Sequence, residues 1–348
     1  MQLLNKSMFS VGPGLPVSLL MGQLMGLLLS LLMAASAWAD SEPITAAGET
    51  MGTHWHAQWS GSVSRRSDIE GALINELQRI NRLMSTWDPQ SDLSLFNKSG
   101  SLEQVSLHPD ILTVVDTAVA VSKQTEGRYD ITLDPVIRLW GFGHSESVAR
   151  PSDQMITQAL AATGYQKLLR DSDKIRKLRS DVSVDLSSLA KGFAVDQLGQ
   201  ILESYDVNHY LVEIGGEVRA RGVKHTGDAW RVGIENPEGY ADQGIYLRDT
   251  QVASSGTYRN YRLENGQRLS HIIDGRTGRP VEHYLVAVTV LHESTMLADA
   301  WATALLVVGE SEARRLIEEQ NLVAQLTVVE NNAFRVERTP SFEKLLVH

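Results

Sequence analysis

Asp299 and Thr303 stand four residues apart in the run MLADAWATALLVVG, so on a helix they share one face. That helix is apolar almost all round, which marks it as buried, and a carboxylate on it must be paired or bind a cation. Plainer roles compete: Asp299 could pair with an arginine or cap nearby amides, and Thr303 could bond back to the carbonyl of residue 299. A second stretch raises the same question. In VDLSSLAKGFAVD, Asp185 closes an apolar run that reads as a buried strand, Ser187 and Ser188 follow, and Lys191 falls in the first turn of a helix. A cation there opposes the helix dipole, whose N-terminus is the positive end, so the arrangement asks for an anion. Asp185 and Ser188 offer hard oxygen ligands suited to Mg²⁺, and free helix N-terminal amides together with Lys191 would face phosphates. Alternatively, either serine is only an N-cap and Lys191 only a surface residue with its stem on the core; the spacing is not that of a Walker loop. In LSHIIDGRTGRP, His271 has the chemistry of a general base and Asp274 that of the group orienting it, although a single histidine on a half-buried strand is more often structural. There is no G-x-S-x-G elbow, G-x-G-x-x-G loop or H-E-x-x-H pair.

These residues need elements to position them. THWHAQW after Met51 alternates as a strand. An amphipathic helix is expected from an N-cap at Ser67 to Met84, on the spacing of Ile69, Leu73, Leu77, Ile80 and Met84, and STWDPQSD breaks it. Asp110 begins a second helix, ended by Gly127. YDITLDP reads as a short strand stopped by Pro135, LWGFGH as a tight loop, and Asp153–Thr163 as a third helix capped by Gly164. From YLVEIGG to Val290 the chain is strand-rich, with short apolar–polar runs separated by Gly, Asn, Asp and Pro. The Met296–Val308 helix, a further helix from Glu310 and the strand VAQLTVVE follow. Strands clustered together, rather than alternating with helices, predict an α+β fold, and the absence of repeats or low-complexity linkers predicts one unit over 40–348.

The bulk numbers narrow the classes. Residues 1–39 carry one charge, Lys6, then an apolar run from Leu15 to Ala35 and small residues at Ala37 and Ala39, the pattern of an export signal cleaved near Asp40. An uncleaved inner-membrane anchor is the alternative, since the run is nearly long enough to span a bilayer. Exported and periplasmic is the expected location. The chain has no cysteine, which removes disulfide, zinc-thiolate and thiol-nucleophile chemistry. With 32 basic and 42 acidic residues it lacks the basic footprint of a nucleic-acid binder. An anionic ligand would have to be held by local devices: a metal ion, backbone amides or one placed lysine.

Taken in order, MGT at 51–53, MSTWDPQSDLSLFN at 84–97, YDITLDPVIRLWGFG at 129–143, VDLSSLAKGFAVD at 184–196, EIGGEVRARG at 213–222, SSGTYRNY at 254–261, SHIIDGRTGRP at 270–280 and ADAWATALLVVG at 298–309 resemble the ApbE family of flavin transferases. The resemblance implies a single compact unit of mixed, largely antiparallel strands packed with helices, with FAD in a central cleft. It also implies a Mg²⁺-dependent FAD:protein FMN transferase, which cleaves FAD, attaches FMN by a phosphodiester to a threonine or serine of a target protein, and releases AMP. Acceptors in that family are flavin-carrying subunits of membrane redox complexes, the sodium-pumping NADH:quinone reductase and Rnf types. By the same resemblance, Met51, Trp87, Tyr129, Asp130, Ile131, Asp185, Lys191 and Ile273 would contact the flavin nucleotide. Ser188, Asp299 and Thr303 would hold the metal, and His271 would assist transfer. Two alternatives share the same ligand: an FAD pyrophosphatase giving FMN and AMP, and a non-catalytic periplasmic FAD-binding protein.

Overall fold

Eight strands build the main sheet: β1 (Ile44–Thr50), β2 (Thr53–Trp59), β3 (Tyr210–Ile214), β4 (Glu217–Arg221), β5 (Thr250–Gly256), β6 (Leu285–His292), β7 (Val323–Glu330) and β8 (Ala333–Arg338). They pair in chain order and antiparallel throughout. The computed structural model describes residues 42–61, 63–143, 150–264 and 267–347. The expected export segment, 1–39, lies outside the described residues. Among them, no helix is long and apolar enough to cross a membrane. Pro43–His348 clusters as one unit, and the mixed helices and antiparallel sheet match the expected α+β class.

Two tight turns sit at one end of this sheet. Thr50 pairs with Thr53 across Met51 and Gly52, both at positive φ (50° and 72°), as a two-residue hairpin of strand-compatible twist requires. Ile214 pairs with Glu217 across Gly215 and Gly216, again both at positive φ. The pairing of Trp55 with Ile214 and of Val252 with Val218 brings both turns and the last residues of β5 to the same edge. That edge is where the site forms.

The sheet has two unlike faces. On β4 and β5, Val218, Ala220 and Val252 pack under a hairpin of Trp230–Glu235 and Ala241–Leu247, closed by Phe342. The opposite face is covered by helices. The longer helices are, in chain order, α1 (Arg66–Met84), α2 (Asp92–Lys98), α3 (Pro109–Gln124), α4 (Asp134–Leu139), α5 (Asp153–Ala161), α6 (Ala190–Ser204), α7 (Thr295–Val308) and α8 (Glu310–Glu319); α1, α6, α7 and α8 lie against the sheet, while α4 and α5 pack on each other in a separate cluster with Val136, Trp140 and Ile156. Helices α6 and α7 meet at Gly192, where a Cβ would lie 2.4 Å from the Thr295 carbonyl oxygen. Asp196 of α6 then caps α7: its carboxylate accepts from Thr295 N (3.0 Å), Met296 N (3.1 Å) and Ser294 Oγ (2.8 Å). The orphan donors of a buried helix start are thereby satisfied by the neighbouring helix.

Several expectations need correction. YDITLDP is not a strand: Asp130 Oδ1 accepts from Thr132 N and Oγ1, making a side-chain-stabilised turn, and Pro135 lies in the first turn of α4. Val182, Val184 and Leu186 are buried, as a strand would bury them, yet the segment joins no sheet. Asn97 brackets Val184, donating to its carbonyl (2.7 Å) and accepting from its N–H (2.8 Å), and Asp185 N donates to Ile131 O. Asn97 is itself fixed because the buried Lys177 ammonium donates to the carbonyls of Phe96, Asn97 and Ser99 at the end of α2. Helix α1 begins at Arg66 rather than after Ser67, and β1, α2 and β8 were not anticipated.

Candidate active site

A cavity of about 350 Å³ opens at the turn-bearing edge of the sheet. Tyr129, Asp130, Ile131, Asp185, Ser188, Lys191, His271, Ile273, Asp299 and Thr303 all line it, from four separate stretches of chain. A second cavity of about 520 Å³ is lined by Met51, Met84 and Trp87, with Trp87 69% exposed at its rim. Asp185, Ser187 and Lys191 border both. Every expected site residue except Asp274 therefore faces one or both of two adjoining spaces.

The charged centre is Lys191. Its Nζ lies 2.6 Å from Glu217 Oε1 and 3.9 Å from Asp299 Oδ2. The expected dipole conflict is resolved inside the protein, by two carboxylates set against one ammonium. Burial by itself would lower the lysine pKa, but Asp299 and Glu217 outweigh it and hold the ammonium above its usual range. Burial pushes both acids upward, and the Lys191 ammonium opposes that rise by favouring their charged forms. The centre is short of positive charge and has room for a cation.

Asp299 is 2% exposed, and its Oδ2 accepts from Gly192 N at 3.1 Å. It does cap an amide, as the plainer alternative held, but it pairs with a lysine rather than an arginine. Thr303 Oγ1 bonds Ser255 Oγ at 2.9 Å instead of turning back on its helix. Ser188 is not an N-cap: α6 starts at Ala190, and Ser188 Oγ lies 2.8 Å from Tyr129 OH. Burial raises the pKa of that phenol, so it stays protonated. The helix amides are largely committed, with Leu189 N and Ala190 N on Leu186 O and Gly192 N on Asp299. The expectation of free amides for phosphate is thus replaced by Lys191 and the cation-deficient centre.

His271 is half-buried, and burial lowers its pKa, keeping the ring neutral at pH 7. Its Nδ1 lies 2.8 Å from the Asn260 carbonyl, which can only accept, so Nδ1 carries the proton and Nε2 the basic lone pair. Asp274 does not orient it. That carboxylate receives Arg128 Nε at 2.8 Å and Arg276 N at 2.9 Å, while Arg128 also donates to Val308 O at the end of α7. Asp274 thus ties the His271 segment to the helix bearing Asp299. Asp130 lines the cavity with its oxygens already engaged by Thr132 and Tyr165 N; it shapes the wall.

Sequence reasoning missed Glu217, Ser255 and Asn260. Glu217 carried one signal, an acid directly after a paired-glycine turn on an apolar strand. Asn260 acts through its backbone and carried none.

A profile of the ApbE family matches residues 51–327. The chain belongs to the ApbE family. It is 36% identical over 327 residues to the FAD:protein FMN transferase of Haemophilus influenzae, covering 90% of this chain and 94% of that one. It is 35% identical over 309 residues to the protein of the same name from Escherichia coli, covering 86% and 88%. Among solved structures, the flavin transferase ApbE of Vibrio cholerae superimposes with a TM-score of 0.81 at 33% identity, over 87% of this chain and 99% of that one. This chain therefore shares the fold of that ApbE structure over most of its length.

Proposed function

We propose that this ApbE-family chain is an FAD:protein FMN transferase that places the FAD diphosphate at Lys191, where the two cavities meet. The observation carrying the reading is the convergence on one cavity of an ammonium, a cation-deficient pair of buried acids and a neutral histidine. One space on each side of Lys191 suits a ligand with two large ends joined by a diphosphate. Asp299, Thr303 and Ser188, which line one cavity, offer oxygen alone, and among the described residues no group of three or more His, Cys, Asp or Glu could hold a metal. Asp299, Thr303 and Ser188 fit a hard ion such as Mg²⁺, which takes few protein ligands and completes its shell with water and phosphate. When bound, Mg²⁺ supplies charge neutralisation on the diphosphate.

The protein's own groups account for the rest. Lys191 binds and orients the diphosphate, and Trp87 and Met51 hold the far end of the nucleotide. Nε2 of His271 takes the proton of an acceptor threonine or serine hydroxyl. The hydroxyl oxygen forms a bond to the FMN phosphorus as the P–O bond to AMP breaks, and AMP leaves with the bridging electron pair. Acceptors are flavin-carrying subunits of membrane redox complexes of the sodium-pumping NADH:quinone reductase or Rnf type, met outside the cytoplasm after export through residues 1–39.

The test is incubation with FAD, Mg²⁺ and a candidate acceptor domain, followed by intact mass. An FMN-sized adduct with AMP release is expected; AMP without adduct would make the protein a pyrophosphatase, and neither product would leave it a binding protein. Asp299→Ala should abolish the adduct.

A further inference from the structure

Glu217 is 2% exposed and lines the first cavity, yet among the described residues its one ion-pair partner is Lys191. Its Oε2 is buried and accepts no hydrogen bond from any described residue. An acid so placed is expensive to bury, and nothing in the packing of β4 requires it. Its neighbours on that face do different work: Arg219 holds Tyr210, Glu203 and Asp196. What Glu217 does control is where the Lys191 ammonium rests. A lysine has four rotatable methylenes and follows the nearest counter-charge, and the alternative counter-charge is Asp299 Oδ2, 3.9 Å away against 2.6 Å for Glu217. Without Glu217, a small torsional change would bring the ammonium into direct contact with Asp299.

We propose that Glu217 is a positioning residue that holds Lys191 off Asp299, so that the buried carboxylate stays open to a cation while the ammonium stays at the junction of the two cavities. The glycine pair explains how the strand delivers it. Gly215 and Gly216 turn the chain at φ 62° and 106°, and the following residue points into the site at the first position of β4. Gly215 has no room for a side chain, since a Cβ would meet Thr53 Cγ2 at 2.8 Å. The inference rests on the transferase reading above, which assigns Asp299 to the metal and Lys191 to the diphosphate.

The experiment reads binding, without turnover. The Mg²⁺ concentration giving half-maximal thermal stabilisation is measured on the full chain at constant ionic strength, and FAD affinity by flavin fluorescence. Glu217→Gln keeps the volume and removes the charge; it should raise the half-saturating Mg²⁺ at least about tenfold. The double variant Glu217→Gln with Lys191→Gln removes the competing ammonium and should bring Mg²⁺ binding back to within about threefold of the unmodified protein, while FAD affinity stays weak. Should Glu217→Gln fail to fold, Glu217→Asp retains the charge one methylene further back and should give an intermediate shift. Unchanged Mg²⁺ binding in the single variant would overturn the inference, as would a double variant no better than the single one. If the unmodified protein binds no FAD with Mg²⁺ present, the transferase reading itself fails, an outcome distinct from the other two.

Discussion

Replacing Gly192 by alanine sets two effects against each other whose sizes can be compared. In a helix interior alanine is favoured over glycine by ~1 kcal/mol, and the Gly192 backbone is not in the left-handed region. The new Cβ, however, would lie 2.4 Å from Thr295 O and 2.7 Å from Met296 Cα. These are backbone atoms of α7, so no side-chain rotation relieves the clash, and α6 and α7 must separate. Overpacking of this kind costs ~1–3 kcal/mol. The same movement stretches the hydrogen bond from Gly192 N to Asp299 Oδ2, a bond to a charged group worth ~1.5–3 kcal/mol. Net of the helical gain, ~1.5–5 kcal/mol is lost, or roughly 3–10 °C in Tm at the ~2 °C per kcal/mol of a large domain. Because Lys191 and Asp299 stand on the two separated helices, kcat/KM for flavin transfer should fall at least about tenfold as well. Gly71→Ala on α1 is the control: nothing lies within 4 Å of its Cβ, so it should gain ~0.5–1 kcal/mol. Thermal denaturation and the adduct assay on both variants decide the matter. A Gly192→Ala protein that melts at or above the unmodified one, with full activity, refutes the reasoning.

Three further outcomes follow from the site. Because burial depresses the His271 pKa, its basic form persists through neutral pH, and transfer should fall only as pH drops below the ordinary histidine range; His271→Ala should lose ~10²–10⁴ in rate and abolish that acid limb, read from a pH–rate profile. Asp274→Asn removes the partner of Arg128 and should cost ~1–3 kcal/mol in a denaturant melt, leaving the pH profile of the folded enzyme unchanged; a shifted acid limb at unaltered stability would restore Asp274 as the group orienting His271. Trp87→Ala should raise the KM for FAD about three- to tenfold through lost stacking with no change in Tm, since that side chain is 69% exposed; an unchanged KM removes Trp87 from the binding surface.

Much of the fold was legible where one element buries one face. Ile69, Leu73, Leu77, Ile80 and Met84 point inward from α1 as their spacing predicts. The reading failed where burial alternates without a ladder. Val182, Val184 and Leu186 have strand periodicity, but their neighbours are the Asn97 side chain and the Ile131 carbonyl. Period-two burial reports that one side of an extended chain is covered and says nothing of what covers it. Pro135 misled for a related reason: the residue that ends a strand also opens a helix, and only the partner of Asp130 distinguishes the two.

The sequence by itself determined the chemistry available: hard oxygen ligands, one misplaced-looking lysine, a candidate base in His271, no thiol, and eight motifs in the ApbE order. Side-chain type and local spacing are properties of a chain segment, so they can be read without its neighbours. Only the tertiary structure decided the partnerships. Lys191 is balanced by Glu217 and Asp299, 26 and 108 residues further along the chain, and His271 is oriented by the Asn260 carbonyl rather than by Asp274. Electrostatic pairing acts over a few ångströms of space regardless of separation along the chain, and which charges come within that range is set by strand register and by the close approach of α6 to α7 at Gly192.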